Sequence, residues 1–211
     1  MRRSQPPEYI VYAEAVGAPI EYAWNADIAL ELYAEKDQNI PLYRRIDDAS
    51  ACAKMSLGVA VAEWIVWRFR GHVDLTDALH RIEAAWAGAA DPAWVRTLDC
   101  RMTHDDDLFP IEGALELGLT VLGQTFNRYA NADRRIYVAE PVVKLATVAA
   151  HLVPIRELFD QWLDDVSTRI VNAFPRADPE RGKPVPRSFF DRETYGTDTD
   201  VDAFLAPDEN P

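Results

Sequence analysis

The sequence is poor in the residues that most often announce chemistry. Among 211 residues it has two cysteines, three methionines and nine glycines. No Gly-x-Ser-x-Gly elbow, no Gly-Lys-Ser/Thr phosphate loop and no Gly-x-Gly-x-x-Gly turn occurs. That removes the common acyl-transfer, nucleoside-triphosphate and dinucleotide sites. Cationic side chains are scarce as well, 22 against 35 acidic ones, for a formal charge of −13. Nucleic acid backbones and anionic lipid both require a basic footprint, so neither is an expected partner. Long apolar runs are missing: the most apolar window, Leu57 to Trp67, is interrupted by Glu63, whereas a bilayer span needs about 20 residues. Met1-Arg2-Arg3 starts as a signal peptide does, but no apolar stretch follows. Cys52 and Cys100 stand far apart and read as two buried free thiols. Together with a bias towards arginine and alanine, these features point to a bacterial cytoplasm.

What is present is material for a core. The chain is 48% hydrophobic and 10% aromatic, enough for one domain, and its apolar positions recur at helical spacing. From Pro154, the residues Ile155, Leu158, Phe159, Trp162, Leu163, Val166, Ile170 and Phe174 form one stripe. A second helix starts at Asp74, with Gly88 as its expected stop and Asp91-Pro92 as a restart. Residues 48–69 and 110–129 are apolar around most of the circumference and should lie centrally. A helix over 132–152 should break at Pro141, residues 24–35 fit another helix, and 8–20 fit either a short helix or an extended stretch. The expectation is an all-α protein, a single multi-helix domain of about seven helices over residues 1–174. Residues 175–211 form a tail with Pro175, Pro179, Pro184, Pro186, Pro207 and Pro211, and its last 21 residues hold seven acids and one base. Phe189-Phe190, Tyr195 and Phe204-Leu205 in that tail are expected to dock on the body or on a partner. An internal echo runs at an offset of 60: Leu57-Gly58 with Leu117-Gly118, Val61 with Val121, Arg68 with Arg128. It would suit two helical-hairpin repeats.

Four clusters could carry chemistry. Asp198, Asp200, Asp202 and Glu209 occupy positions one, three, five and twelve of a segment that resembles the calcium-binding loop of an EF-hand. It departs from that loop at Ala203, where the turn glycine belongs, and at Pro207. His72 followed by His104-Asp105 is similar to the HD-domain phosphohydrolases. That resemblance implies a divalent metal held by these residues, although the His-Asp pair stands here in a run of polar residues. Asp160, Asp164 and Asp165 share a helix face, and Asp105, Asp106 and Asp107 make a second acidic group. Glu63 has only apolar helical neighbours, so it should pair with an arginine from another helix.

Read together, these features suggest a non-catalytic acidic module. It would bind a basic protein through Asp105, Asp106, Asp107, Asp160, Asp164 and Asp165, as an immunity protein binds a toxin. Tyr9, Tyr12, Tyr22, Trp24, Tyr33 and Tyr43 would either add contact area or cap the core. No cofactor and no catalytic residue is assigned. The alternatives are an HD-like metal-dependent hydrolase using His72, His104 and Asp105, and a helical-repeat scaffold with a concave face.

Overall fold

In the computed structural model, which describes residues 5–34, 40–99, 109–176 and 181–191, the helices assemble around one that is enclosed on every side. This is α4, Ala51–Arg68, all of whose residues are buried. Its N-terminus is set by Ser50, whose hydroxyl accepts from the Ala53 amide (3.3 Å). Around it in chain order lie α1 (Glu8–Tyr12), α2 (Ala26–Ala34), α3 (Ile40–Asp47), α5 (Thr76–Ala90), α6 (Glu112–Ala130), α7 (Ala139–Leu152) and α8 (Arg156–Ala173). Short 3-10 turns occur at Pro92–Trp94, Ala132–Tyr137 and Arg187–Phe190. No strand exists among the described residues, only two isolated bridges. The fold is all-α.

α4 packs most extensively against α7 and α6, then against α5. Of the two apolar segments expected at the centre, 48–69 lies there as α4, while 110–129, as α6, packs against it and keeps a partly exposed stripe at Leu115, Glu116, Gln124 and Asn127. α6 buries Ala114, Leu117, Val121, Leu122 and Phe126, while α5, α7 and α8 bury one face each. Both echoed glycines face the α4–α6 contact. A Cβ on Gly58 would touch Thr125 at 3.3 Å, and one on Gly118 would lie 2.8 Å from Ile65. Each glycine therefore faces the residue 60 positions from the other's partner. This is the pairing of two antiparallel helices. The bundle nevertheless closes around α4 rather than opening into a stack with a concave face.

Several boundaries differ from the expected ones. The break near Pro141 falls before it, at the 3-10 turn ending at Tyr137. Pro141 itself sits in the first turn of α7, where its missing N–H costs nothing. Gly88 does not end α5: the helix continues to Ala90, and Gly88 is where Phe126 packs, 2.5 Å from an added Cβ. α5 starts at Thr76, with the Asp74 carboxylate accepting from the Thr76 amide and hydroxyl (2.9 and 2.7 Å). α3 was not expected at all. Residues 8–20 divide into α1 and an irregular stretch.

Orphaned helix-end carbonyls find side-chain donors. Ala89 O, near the end of α5, accepts from the Tyr129 hydroxyl (2.8 Å) and the Cys52 thiol (3.1 Å). Leu152 O, the end of α7, accepts from Arg68 Nε (2.9 Å). The same buried guanidinium also donates to the carbonyls of Ala18 and Pro19, which fixes the irregular N-terminal stretch on the bundle.

Candidate functional site

α8 meets α3 at an open groove of about 310 Å³, lined by Pro41, Leu42 and Arg45 from α3 and by Arg156, Asp160, Leu163 and Asp164 from α8. The residues from α8 recur at helical spacing, so one face of this helix supplies a whole wall. Asp160 and Asp164 stand on that wall and Asp165 does not; the three side chains are 51%, 69% and 42% exposed in that order. Each also holds an arginine. Asp160 accepts from Arg156 (3.2 Å) and Asp165 from Arg169 (2.8 Å), both one turn away, while Asp164 pairs with Arg45 across the groove. Arg45 further donates to Ser167 Oγ (2.9 Å), which ties α3 to α8. The carboxylates thus stand outward but locally neutralised. Exposed pairs of this kind are worth about 0–1 kcal/mol, so an incoming cation can compete for them.

A second cluster forms where residues 181–191 lie against the helices. Glu63, with no solvent exposure, accepts from the Tyr9 hydroxyl (2.6 Å) and pairs with Arg187. Arg187 also donates to Glu83 (2.7 Å) and lies over the Trp86 ring, 5.5 Å from its centroid. The expected arginine exists, but it comes from the 3-10 turn and not from another helix. Phe190 is fully buried against Trp86 and its carbonyl accepts from Trp162 Nε1 (3.3 Å). Phe189 packs edge-on against Phe174 and under the Arg169 guanidinium, which donates to its carbonyl (2.9 Å). The expected docking of Phe189-Phe190 is therefore on the body itself. Burial, together with the neighbouring Glu63 charge, pushes the Tyr9 hydroxyl well above its ordinary value and keeps it a donor.

Of the histidines, His72 is exposed and its Nε2 lies 3.1–3.2 Å from the carbonyls of Gly17 and Ala18. Carbonyls only accept, so this nitrogen carries the proton. His151 Nε2 donates to Ala23 O (2.8 Å) and packs edge-on to Tyr22. His104, Asp105, Asp106, Asp107, Cys100, Asp198, Asp200, Asp202 and Glu209 lie outside the described residues. Among the described residues, no group of three or more His, Cys, Asp or Glu is placed to hold a metal ion. Nor is any described helix long and apolar enough to cross a membrane. Cys52 is a free, buried thiol whose pKa burial raises, the state of an inert thiol. Of the N-terminal aromatics, Tyr9 is buried and Tyr22, Trp24, Tyr33 and Tyr43 are half-buried against the core. Tyr12 is 57% exposed.

No protein-family model matches the chain, and comparison with curated proteins and with solved structures gave no match.

Proposed function

We propose that the protein is a non-catalytic binding module for a basic protein, acting as an immunity protein acts on the toxin it neutralises. The observation that carries this reading is the placement of α8. It holds Asp160 and Asp164 on the wall of the open groove, with Asp165 beside them. The same helix also anchors the start of the acidic run, because Trp162 and Arg169 hold the carbonyls of Phe190 and Phe189. The described chain thus reaches Asp191 from a segment held on α8, and the acidic run that follows in sequence and the groove carboxylates can meet one partner. The apolar part of the groove lining, Pro41, Leu42 and Leu163, suits the aliphatic stem of a lysine or arginine, and its carboxylates suit the charged head.

The test is affinity capture from the native host with wild-type protein and with the D160K/D164K/D165K variant. A D160N/D164N/D165N variant controls for the loss of the internal ion pairs. The expected result is a basic protein retained by wild type, less so by the Asn variant and least by the Lys variant. Its association rate should fall steeply with salt. Equal association of all three variants with the captured protein, or capture of a protein with an acidic surface, would exclude this face.

A further inference from the structure

The contact between residues 181–191 and the helices has the form of a bound peptide. Its cleft is built from elements distant in the chain: Tyr9 of α1, Glu63 of α4, Glu83 and Trp86 of α5, and Trp162 of α8. The segment enters it by side-chain anchors three residues apart. Arg187 spans two carboxylates and an indole face, and Phe190 fills a fully buried aromatic slot. Two further hydrogen bonds go to the segment's own carbonyls, from Arg169 and Trp162. Such contacts accept any sequence that keeps the two anchors. The cleft also demands a cationic occupant, because Glu63 has no solvent contact, and a buried carboxylate stripped of its cation costs about 3–5 kcal/mol. The fit is incomplete: Trp86 Nε1 and Arg187 Nε are buried at this contact without a hydrogen-bond acceptor. A ligand supplying one acceptor there would bind better than the present occupant.

We propose that this cleft is a recognition site for an arginine–aromatic turn of the Arg-x-x-Phe type. The protein's own residues 187–190 occupy it in cis, and a partner segment of the same chemistry takes it in trans. The claim does not rest on Asp160 or Asp164, although Trp162 and Arg169, which hold this segment, also anchor the start of the acidic run on α8.

A fluorescent peptide of residues 181–191, titrated into full-length R187A/F190A protein, tests it. Saturable micromolar binding to the variant is expected, at least about tenfold weaker for wild type, whose cleft is filled, and at least about tenfold weaker for a peptide carrying R187A. Absence of binding to a variant whose far-UV circular dichroism matches wild type would overturn the proposal. So would equal binding to wild type and variant. Should the double variant not fold, a protease recognition sequence inserted between Arg176 and Arg181 of the wild-type chain serves instead. After cleavage the C-terminal fragment should stay associated and exchange with added peptide. A fragment that never exchanges would mark the contact as a fixed part of the fold and would also overturn the proposal, whereas exchange with a second copy's segment would show as a dimer and count against a distinct partner.

Discussion

An ionised carboxylate without solvent contact is tolerated only with close donors, and Glu63 has two, the Tyr9 hydroxyl and the Arg187 guanidinium. R187A should therefore destabilise the protein by about 3–5 kcal/mol, and R187A/E63Q by clearly less, because the glutamine removes the uncompensated charge. Urea unfolding midpoints of wild type, R187A, E63Q and the double variant check this, and additive losses would refute the coupling. Tyr9 gives a pH dependence of known sign. Its folded-state pKa lies above the unfolded value of 10.0, so the native state keeps its proton while the unfolded chain loses it. Stability should thus be intact below pH 10 and fall as pH rises beyond it. Y9F should lose the 2.6 Å bond to Glu63 and show a shallower alkaline decline, read from urea midpoints at pH 7 and above pH 10. The need for a cation at Glu63 was legible in its apolar helical neighbours. Its source was not, because Arg187 is 124 residues away beyond a Pro-rich stretch that carries no periodic signal.

At the scale of elements, close approach rather than helix propensity decides what the small residues do. Glycine in a helix interior usually costs about 1 kcal/mol relative to alanine, so by propensity alone an alanine would stabilise both α4 and α6. At Gly118 the added methyl would stand 2.8–2.9 Å from Ile65, inside a crossing with no slack. G118A should therefore lose about 1–3 kcal/mol. Gly58 has its nearest neighbours at 3.2–3.3 Å, all ends of side chains, so G58A should fall near neutrality. I65V/G118A should recover part of the loss, and thermal unfolding of the four proteins decides between steric and propensity control. The same distinction explains which elements could be read from the chain. α4, α6 and α8 declare themselves because their apolar residues either surround the helix or form one unbroken stripe. Gly88 looked like a stop because a glycine's packing partner, here Phe126 on another helix, leaves no trace in the local pattern. α3 was hidden because its buried face is only Leu42 and Ile46 among charged residues. It is held by packing on α8 rather than by its own periodicity.

For the molecule as a whole, the charge of −13 is unevenly divided. The described residues contain 17 of the 22 basic and 22 of the 35 acidic side chains, a net −5. Most of those on α8 are locked in pairs with each other or with Arg45. The body therefore has little field to project at distances beyond a Debye length of about 8 Å. Residues 192–211, with six acids and one base, hold a net −5, as much as all the described residues together, and they follow directly on a segment anchored to α8. That ordering ranks the contributions to capture of a basic partner. A chain ending at Asp191 keeps Arg187 and Phe190, and hence the described anchoring contacts, so its urea midpoint should stay within about 0.5 kcal/mol of wild type. Its net charge would drop from −13 to −8. Association with the basic partner should slow about tenfold or more at low salt, with a smaller effect near physiological ionic strength. Reversing Asp160, Asp164 and Asp165 in the full chain changes the charge by a similar amount and should slow association as well, but on the proposed reading, with those side chains at contact distance, it should also shorten the complex lifetime. Stopped-flow association and dissociation rates across a salt series separate the two roles. If truncation changed only the dissociation rate and reversal only the association rate, the assignment of steering to the C-terminal run and of contact to α8 would have to be exchanged.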